Sequence, residues 1–204
     1  MADAGRRTMA PEEFFDWQSG QDELYELYEL VDGHPVPRHR MMTGASMQHD
    51  RATVNIIVSF GNQLRGKPCR PMTADIAIRT SIKGLRRPDV MVECATLVPD
   101  TYEVREPKLV VEAASPSTTS IDQTRKMEEY KRHPTLAYIL LVEPLKPQAL
   151  LFARERDAWE IETFEGLEAV IALPAIGAAL ALADISDGLS FPRRRDLAAE
   201  EPPL

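Results

Sequence analysis

A nearly unbroken apolar run, AYILLV (Ala137 to Val142), places the strongest constraint on the fold. A strand of this kind is buried on both faces, as at the centre of a sheet. A helix precedes it, in which Ser120 and Gln123 form a capping-box pair and Pro134 marks the end. Before that helix lies another apolar strand, Lys108 to Ala114. The middle of the chain therefore predicts a strand, a helix and a strand in a mixed α/β domain.

Two further helices are predicted upstream of this unit. Pro11 opens the segment PEEFFDWQ, whose first turn carries acids where the helix dipole favours negative charge. Ser46 can cap a longer helix that runs to about Leu64. Within it, Val54 and Val58 recur at helical spacing together with other apolar residues, which supports the assignment.

Turn signals and alternation predict the remaining strands. Asp32-Gly33 is a tight-turn dipeptide that predicts a hairpin returning through Val36. The segment from Met72 to Arg79 alternates with the period of one half-buried strand, and a strand from Pro88 to Glu93 follows it. The later segments ALLFARE, AWEIETF and AVIAL are predicted as additional strands.

These elements predict one α/β domain over residues 11–192. Its middle has the order helix, three strands, helix, strand (αβββαβ), with an N-terminal hairpin before it and a C-terminal β extension after it. A chain of 204 residues can bury a core without disulfide or metal staples. Residues 1–10 and the tail 193–204 are polar or Pro-rich, and we expect both to be disordered.

Several absences in the sequence predict a cytoplasmic protein. No apolar run follows the N-terminal arginines, so a secretory signal is not expected. The longest apolar stretch, residues 169–183, is interrupted by Pro174 and Gly177 and predicts no membrane segment. Cys69 and Cys94 lack CxxC spacing and zinc-type His partners, and are predicted to be reduced thiols.

Charge is segregated along the chain, although the net charge is −8. Between Val36 and Arg87, ten Lys and Arg residues stand against two acids. This block predicts a phosphate-binding face, and the alternative is a basic solvated surface without a ligand. The arginines proposed for contact with nucleic acid are Arg38, Arg40, Arg51, Arg86 and Arg87.

Two carboxylates fall where the predicted strands are apolar or adjacent. Glu112 lies inside LVVEAA, and a carboxylate in an interior strand needs a cation, a metal or hydrogen-bond donors. A structural glutamate with satisfied hydrogen bonds is the alternative. Asp89 begins the preceding strand, so the two side chains can converge into the oxygen-rich kind of site that Mg²⁺ prefers.

A lysine follows on the next helix. Lys126 shares one helical stripe with Asp122 and Tyr130, which are four residues before and after it. From that stripe the ammonium group could lean over the two carboxylates. The alternative is an exposed lysine paired with Asp122.

Five segments, taken together and in order, carry a family resemblance. They are YELVDG, His49, RPDVMV, LVVEAASPST and the pattern D-x-x-x-K-x-x-x-Y from Asp122 to Tyr130. The set resembles the Uma-two family of restriction-endonuclease-like proteins, in the PD-(D/E)XK nuclease superfamily, over roughly Pro11 to Ser190. The resemblance implies a restriction-endonuclease-like αβββαβ core with a mixed central sheet.

The same resemblance implies a set of site residues. Asp89 and Glu112 would hold Mg²⁺ or Mn²⁺, with the carbonyl of Ala113 as a third ligand. Most of the superfamily places the catalytic lysine two positions after the glutamate, which is Ala114 here. The Uma-two pattern instead takes it from the following helix, which matches Lys126.

Further residues match positions that border the family's site. His49 and Glu29 are each either an additional metal ligand or structural. Asp122 and Tyr130 support the site as members of the same motif as Lys126. Asp75, on the polar face of its predicted strand, is a weaker candidate.

Three functions remain open at the level of sequence. The first is a Mg²⁺-dependent DNA endonuclease, for which a homodimer is expected by analogy, because cutting both strands of a duplex usually takes two sites. The second is a catalytically inactive nuclease fold that binds nucleic acid or protein, which Ala114 and the net acidity favour. The third is an acidic protein that binds other proteins through its added strands.

Overall fold

The structure, a computed structural model, describes residues 8–20, 27–37, 46–114, 120–156 and 158–191, with the backbone alone for 120–122. Its helices are α1 (Pro11–Ser19), α2 (Met47–Leu64), α3 (Ser120–Arg132) and α4 (Leu182–Ile185). The strands are β1 (Tyr28–Val31), β2 (His34–Pro37), β3 (Arg70–Thr73), β4 (Ile78–Ser81), β5 (Gly84–Arg86), β6 (Val90–Glu93), β7 (Pro107–Ala113), β8 (Tyr138–Glu143), β9 (Gln148–Glu155), β10 (Ala158–Glu165), β11 (Val170–Leu173) and β12 (Ala178–Ala181).

A six-stranded mixed sheet forms the centre of the protein, in the order β10-β9-β8-β7-β6-β3. β7 and β8 are parallel and joined by the crossover that contains α3, whereas the other neighbours are antiparallel. In chain order, helices α2 and α3 and four strands of this sheet follow one another as α2, β3, β6, β7, α3, β8. The predicted mixed α/β class is therefore confirmed, with the β4–β5 hairpin leaving this sheet after β3.

Both faces of the central sheet are covered. On one face α2 packs through Ala52, Ile56 and Phe60 against the side of the sheet that includes Val111. On the other face α3 packs through Tyr130, against a cluster that also contains other apolar residues of the central strands. Successive side chains of a strand alternate between these two cores, which explains why the central strands are apolar without interruption.

A second sheet stands beside the first, with four strands in the order β2-β1-β5-β4. The predicted hairpin around Asp32-Gly33 supplies β1 and β2, with both turn residues at positive φ. Helix α1 closes this sheet through Phe14, which is fully buried with Leu30 and Leu85. β11, β12 and α4 complete the fold on the α2 side of the central sheet.

Two details of the predicted elements differ from the structure. The single strand expected from Met72 to Arg79 is divided between β3 and β4, which belong to different sheets. In the turn that separates the two strands, the Arg87 guanidinium donates to the carbonyls of Ala74 and Asp75, which then have partners outside a strand ladder. In α2, Val54 and Val58 lie on the exposed side of the helix, while Ile56 and Phe60 are buried.

The prediction of reduced thiols is wrong in this structure. Cys69 and Cys94 form a disulfide between the ends of β3 and β6. Antiparallel pairing of these strands sets Arg70 opposite Glu93. Cys69 precedes Arg70 and Cys94 follows Glu93, so the two cysteines also lie opposite each other. The spacing of the two cysteines in the sequence does not indicate which residues of β3 and β6 pair.

Among the described residues, no helix is long and apolar enough to span a bilayer.

Candidate functional site

Asp89 is docked onto strand β7 by a main-chain contact. It immediately precedes β6, whose first residue, Val90, pairs with Val111. The carboxylate Oδ2 accepts the N–H of Ala113 at 2.9 Å, and Asp89 is 6% exposed. This contact brings Asp89 to the end of β7 that carries Glu112, as the two predicted strands required.

His49 holds the same carboxylate oxygen from the other side. It lies in the first turn of α2, where the Ser46 hydroxyl accepts its N–H at 3.2 Å. Its Nε2 is 3.2 Å from Oδ2 of Asp89, and both side chains are buried. An ionised carboxylate can only accept, so with Asp89 ionised this contact requires the proton on Nε2 of His49. The contact links the start of α2 to Asp89.

The protonation of Glu112 is strongly altered by its surroundings. Burial raises the pKa of Glu112 to about 7; the charge of Lys126 opposes this rise and the charge of Asp89 adds to it. The Tyr130 hydroxyl donates to Oε1 at 2.7 Å, which favours the ionised form. A carboxyl with this pKa lies close to the border between charged and neutral at physiological pH.

Lys126 reaches the carboxylates from α3. Its Nζ lies 3.9 Å from Oε1 of Glu112 and 3.8 Å from Oε1 of Glu29. Tyr130 follows one turn later on the same helix, so both residues approach Glu112 together. The structure thus brings Asp89, Glu112, Lys126, His49, Glu29 and Tyr130 into one cluster.

The donor set at this cluster suits a hard divalent cation. Asp89 and Glu112 present carboxylates from neighbouring strands, and the main-chain carbonyl of Ala113 is adjacent in sequence. The pKa of Glu112 is raised by burial and, to a smaller extent, by the charge of Asp89, so a bound cation would favour the ionised form of this carboxylate. Within the described ranges, no three His, Cys, Asp or Glu side chains are grouped to hold a metal. Two carboxylates with water suffice for Mg²⁺, which keeps several waters when it binds proteins.

Most arginines predicted to contact nucleic acid are placed otherwise or are not described. Arg86 and Arg87 are buried, 1% and 2% exposed, so the structure contradicts their assignment to a surface. Their guanidinium groups bond to carboxylates and main-chain carbonyls inside the protein. Arg51 is exposed and pairs with Asp187. The other two, Arg38 and Arg40, and the side chain of Asp122 lie outside the described residues.

Glu129 also belongs to this region, although no pattern in the sequence predicts it. Glu129 accepts two hydrogen bonds from Arg86, at 2.7 and 2.9 Å, and one from Thr80 at 3.1 Å. Burial alone would raise the pKa of Glu129, but the hydrogen bonds and charge of Arg86 outweigh it and lower the pKa. Glu129 and Arg86 are 43 residues apart, and no local pattern links them. Asp75, the weaker candidate, lies in the β3–β4 turn and contacts Thr73.

Comparison with known proteins gives concordant results. Residues 11–183 match the family model of Uma2, described as a putative restriction endonuclease. An uncharacterized protein of Synechocystis sp. is 30% identical over 186 residues, covering 90% of this chain and 94% of that protein.

The fold is also similar to that of a solved structure. The crystal structure of a putative nuclease belonging to DUF820 from Anabaena variabilis superposes with a TM-score of 0.66. The match covers 88% of this chain and 98% of that one at 14% sequence identity, so it supports the fold alone. The family model, in contrast, spans residues 11–183, which include Asp89, Glu112 and Lys126. The chain belongs to the Uma2 family of putative restriction endonucleases.

Proposed function

We propose that the protein is a metal-dependent endonuclease that hydrolyses phosphodiester bonds of DNA. The observation that carries the proposal is the approach of the Lys126 ammonium to Glu112, 3.9 Å away, beside Asp89 on the neighbouring strand. Two carboxylates and a lysine at one end of a sheet can bind a divalent cation and stabilise charge on a phosphate. The family match supports a nuclease.

In the proposed mechanism each residue has one role. Asp89 and Glu112, with the Ala113 carbonyl, would hold Mg²⁺ or Mn²⁺. The bound ion would supply the positive charge that activates water and neutralises the phosphate. Lys126 orients the attacking water and donates to the oxygen on which negative charge develops. His49 keeps Asp89 aimed by its hydrogen bond, and Tyr130 does the same for Glu112.

Fewer arginines are proposed to contact DNA than the five that the sequence predicts. Among the described candidates Arg51 alone is exposed, and it lies in the first turns of α2, where it pairs with Asp187. We propose that Arg51 exchanges this exposed pairing for a contact with the DNA backbone. Its replacement by Ala should weaken binding and reduce the salt slope by about one phosphate contact. Arg156, exposed in the turn that follows β9, offers a control.

A second candidate is a nuclease fold that binds nucleic acid or protein without cutting. The burial of Arg86 and Arg87 does not separate it from the endonuclease, because either would lose the same two predicted phosphate contacts. Ala114, where most of the superfamily has its lysine, is the observation that favours it. This candidate predicts salt-sensitive binding of DNA with no cut strands.

Cleavage of plasmid and oligonucleotide DNA with Mg²⁺ or Mn²⁺ decides between the two. Asp89→Ala, Glu112→Ala and Lys126→Ala should each lower cleavage at least about a hundredfold. Glu160→Gln, on the exposed edge strand β10, is the control and should cut as the parent does. If the folded parent binds DNA but cuts no substrate with either metal, the endonuclease proposal is rejected and the binding module is supported.

A further inference from the structure

A fully buried arginine joins the second sheet to helix α3. Arg86, on β5, donates through Nε and Nη2 to both carboxylate oxygens of Glu129 on α3. Its Nη1 donates to Oε2 of Glu29, on β1, at 3.0 Å. Arg86 is 1% exposed and Glu29 is 0% exposed. A bidentate pair of this kind fixes direction as well as distance, so Arg86 sets how α3 lies against the sheet.

Glu29 does more than neutralise Arg86. While its Oε2 accepts from Arg86, its Oε1 accepts the N–H of Arg87 at 3.0 Å. The same Oε1 lies 3.8 Å from Nζ of Lys126. Glu29 is therefore held rigidly by two donors from β5 and the residue after it, and it presents a fixed negative charge to the lysine.

Lys126 needs such a support because of its side chain. A lysine ammonium is a point charge on a flexible four-carbon stem and can occupy many positions around its helix. Here Nζ lies within 4.0 Å of two carboxylates, at 3.8 Å from Oε1 of Glu29 and 3.9 Å from Oε1 of Glu112. Glu129 anchors the same helix three residues later, next to the turn that carries Lys126.

We propose that Glu29 is a positioning residue, which together with Arg86 and Glu129 sets the Lys126 ammonium beside Glu112. The four-stranded sheet is then part of the site, because β1 and β5 supply this support. The consequence for cleavage rests on the proposed function, whereas the position of Lys126 can be measured without metal or DNA.

The first test is a double-mutant cycle on cleavage. Glu29→Gln keeps the size and acceptor oxygen of the side chain but removes its charge. It should lower kcat at least about tenfold with little change in KM, because a misplaced lysine weakens the chemical step rather than binding. In a Lys126→Ala background, Glu29→Gln should have no further effect on kcat. Additive losses in the cycle would overturn the proposal.

The second test measures the lysine directly in metal-free protein. The acetylation rate of Lys126 is compared with that of exposed Lys146 by mass spectrometry, at a temperature where each variant is folded. Glu29→Gln should raise the Lys126 rate several-fold, and Glu129→Gln should do so as well. Glu128→Gln, an exposed glutamate on the same helix, is the control and should leave the rate unchanged.

The outcomes of the two tests separate this proposal from the proposed function. An unchanged Lys126 rate in folded Glu29→Gln and Glu129→Gln would overturn positioning, even if the parent cuts DNA. A raised rate together with a parent that cuts no DNA would support positioning and reject the endonuclease. If Glu29→Gln does not fold, the rate in Glu129→Gln decides alone.

Discussion

The hydroxyl of Tyr130 donates a 2.7 Å hydrogen bond to Oε1 of Glu112, the same oxygen that lies 3.9 Å from Nζ of Lys126. Tyr130 is fully buried in the core under α3. One side of the phenol thus belongs to the hydrophobic core, and its polar end reaches the candidate site. The packing of α3 and the orientation of Glu112 are therefore linked through one side chain.

Replacing Tyr130 by Phe should raise the pKa of Glu112 above its value of about 7. Burial is the main cause of that pKa, and the Tyr130 hydrogen bond lowers it by stabilising the ionised form. Carboxyl ¹³C chemical shifts of the metal-free protein, followed against pH, would measure the change. Tyr138→Phe is the control, because that hydroxyl accepts from Ala175 on the β11–β12 connection. A lower or unchanged pKa in Tyr130→Phe would contradict the assignment.

A buried arginine ion pair should contribute more to the free energy of unfolding than an exposed one. Arg86→Ala leaves Glu29 and Glu129 without their buried cation, and should lower the free energy of unfolding by about 3–5 kcal/mol. Arg51→Ala removes an exposed pair with Asp187 and should cost less than about 1 kcal/mol. Urea denaturation of both variants would measure the difference. Equal losses would show that the Arg86 network is not the structural link inferred above.

The contribution of Glu129 to stability should depend on pH in a defined direction. The pKa of Glu129 is lowered in the folded state, because Arg86 outweighs the effect of burial. Its stabilisation is therefore complete above the ordinary glutamate pKa of 4.5, and is lost as pH falls through the lower folded pKa.

Unfolding free energies of Glu129→Gln and the parent, measured from neutral to acid pH, would test this. The difference between them should be largest near neutral pH and should shrink below pH 4.5. Glu128→Gln should differ little from the parent at every pH, since its partner Lys131 is reached at the surface. A difference that grows as pH falls would exclude the ion pair as its source.

The disulfide should contribute to stability through the length of chain it closes. Cys69 and Cys94 are 25 residues apart, which corresponds to about 3.5 kcal/mol in the loop-entropy description. A Cys69→Ser, Cys94→Ser double variant should unfold at correspondingly lower denaturant, and reductant should shift the parent to match it. The double variant itself should not respond to reductant. A parent with two titratable thiols in the folded state would contradict the bond.

Much of the fold could be predicted from short stretches of sequence. The Ser46 cap, the Asp32-Gly33 turn and the apolar run from Ala137 to Val142 each encode structure through neighbours within a few residues. The spacing of Lys126 and Tyr130, four residues apart on α3, likewise encodes a shared helix face. Local backbone preferences and periodicity act over these distances, so they predict helix α2, the first hairpin and the central strand without any tertiary contact.

Only the tertiary structure decided which distant residues meet. His49 and Asp89 are 40 residues apart, and Arg86 and Glu129 are 43 apart. Their contacts depend on sheet register and on how α2 and α3 pack across it, which local sequence does not encode. Arg86 illustrates the consequence: a basic run suggested a surface contact, whereas folding buries this side chain between two acids. A buried cation requires such partners because desolvation is otherwise too costly, and the chain supplies them from elements that are remote in sequence.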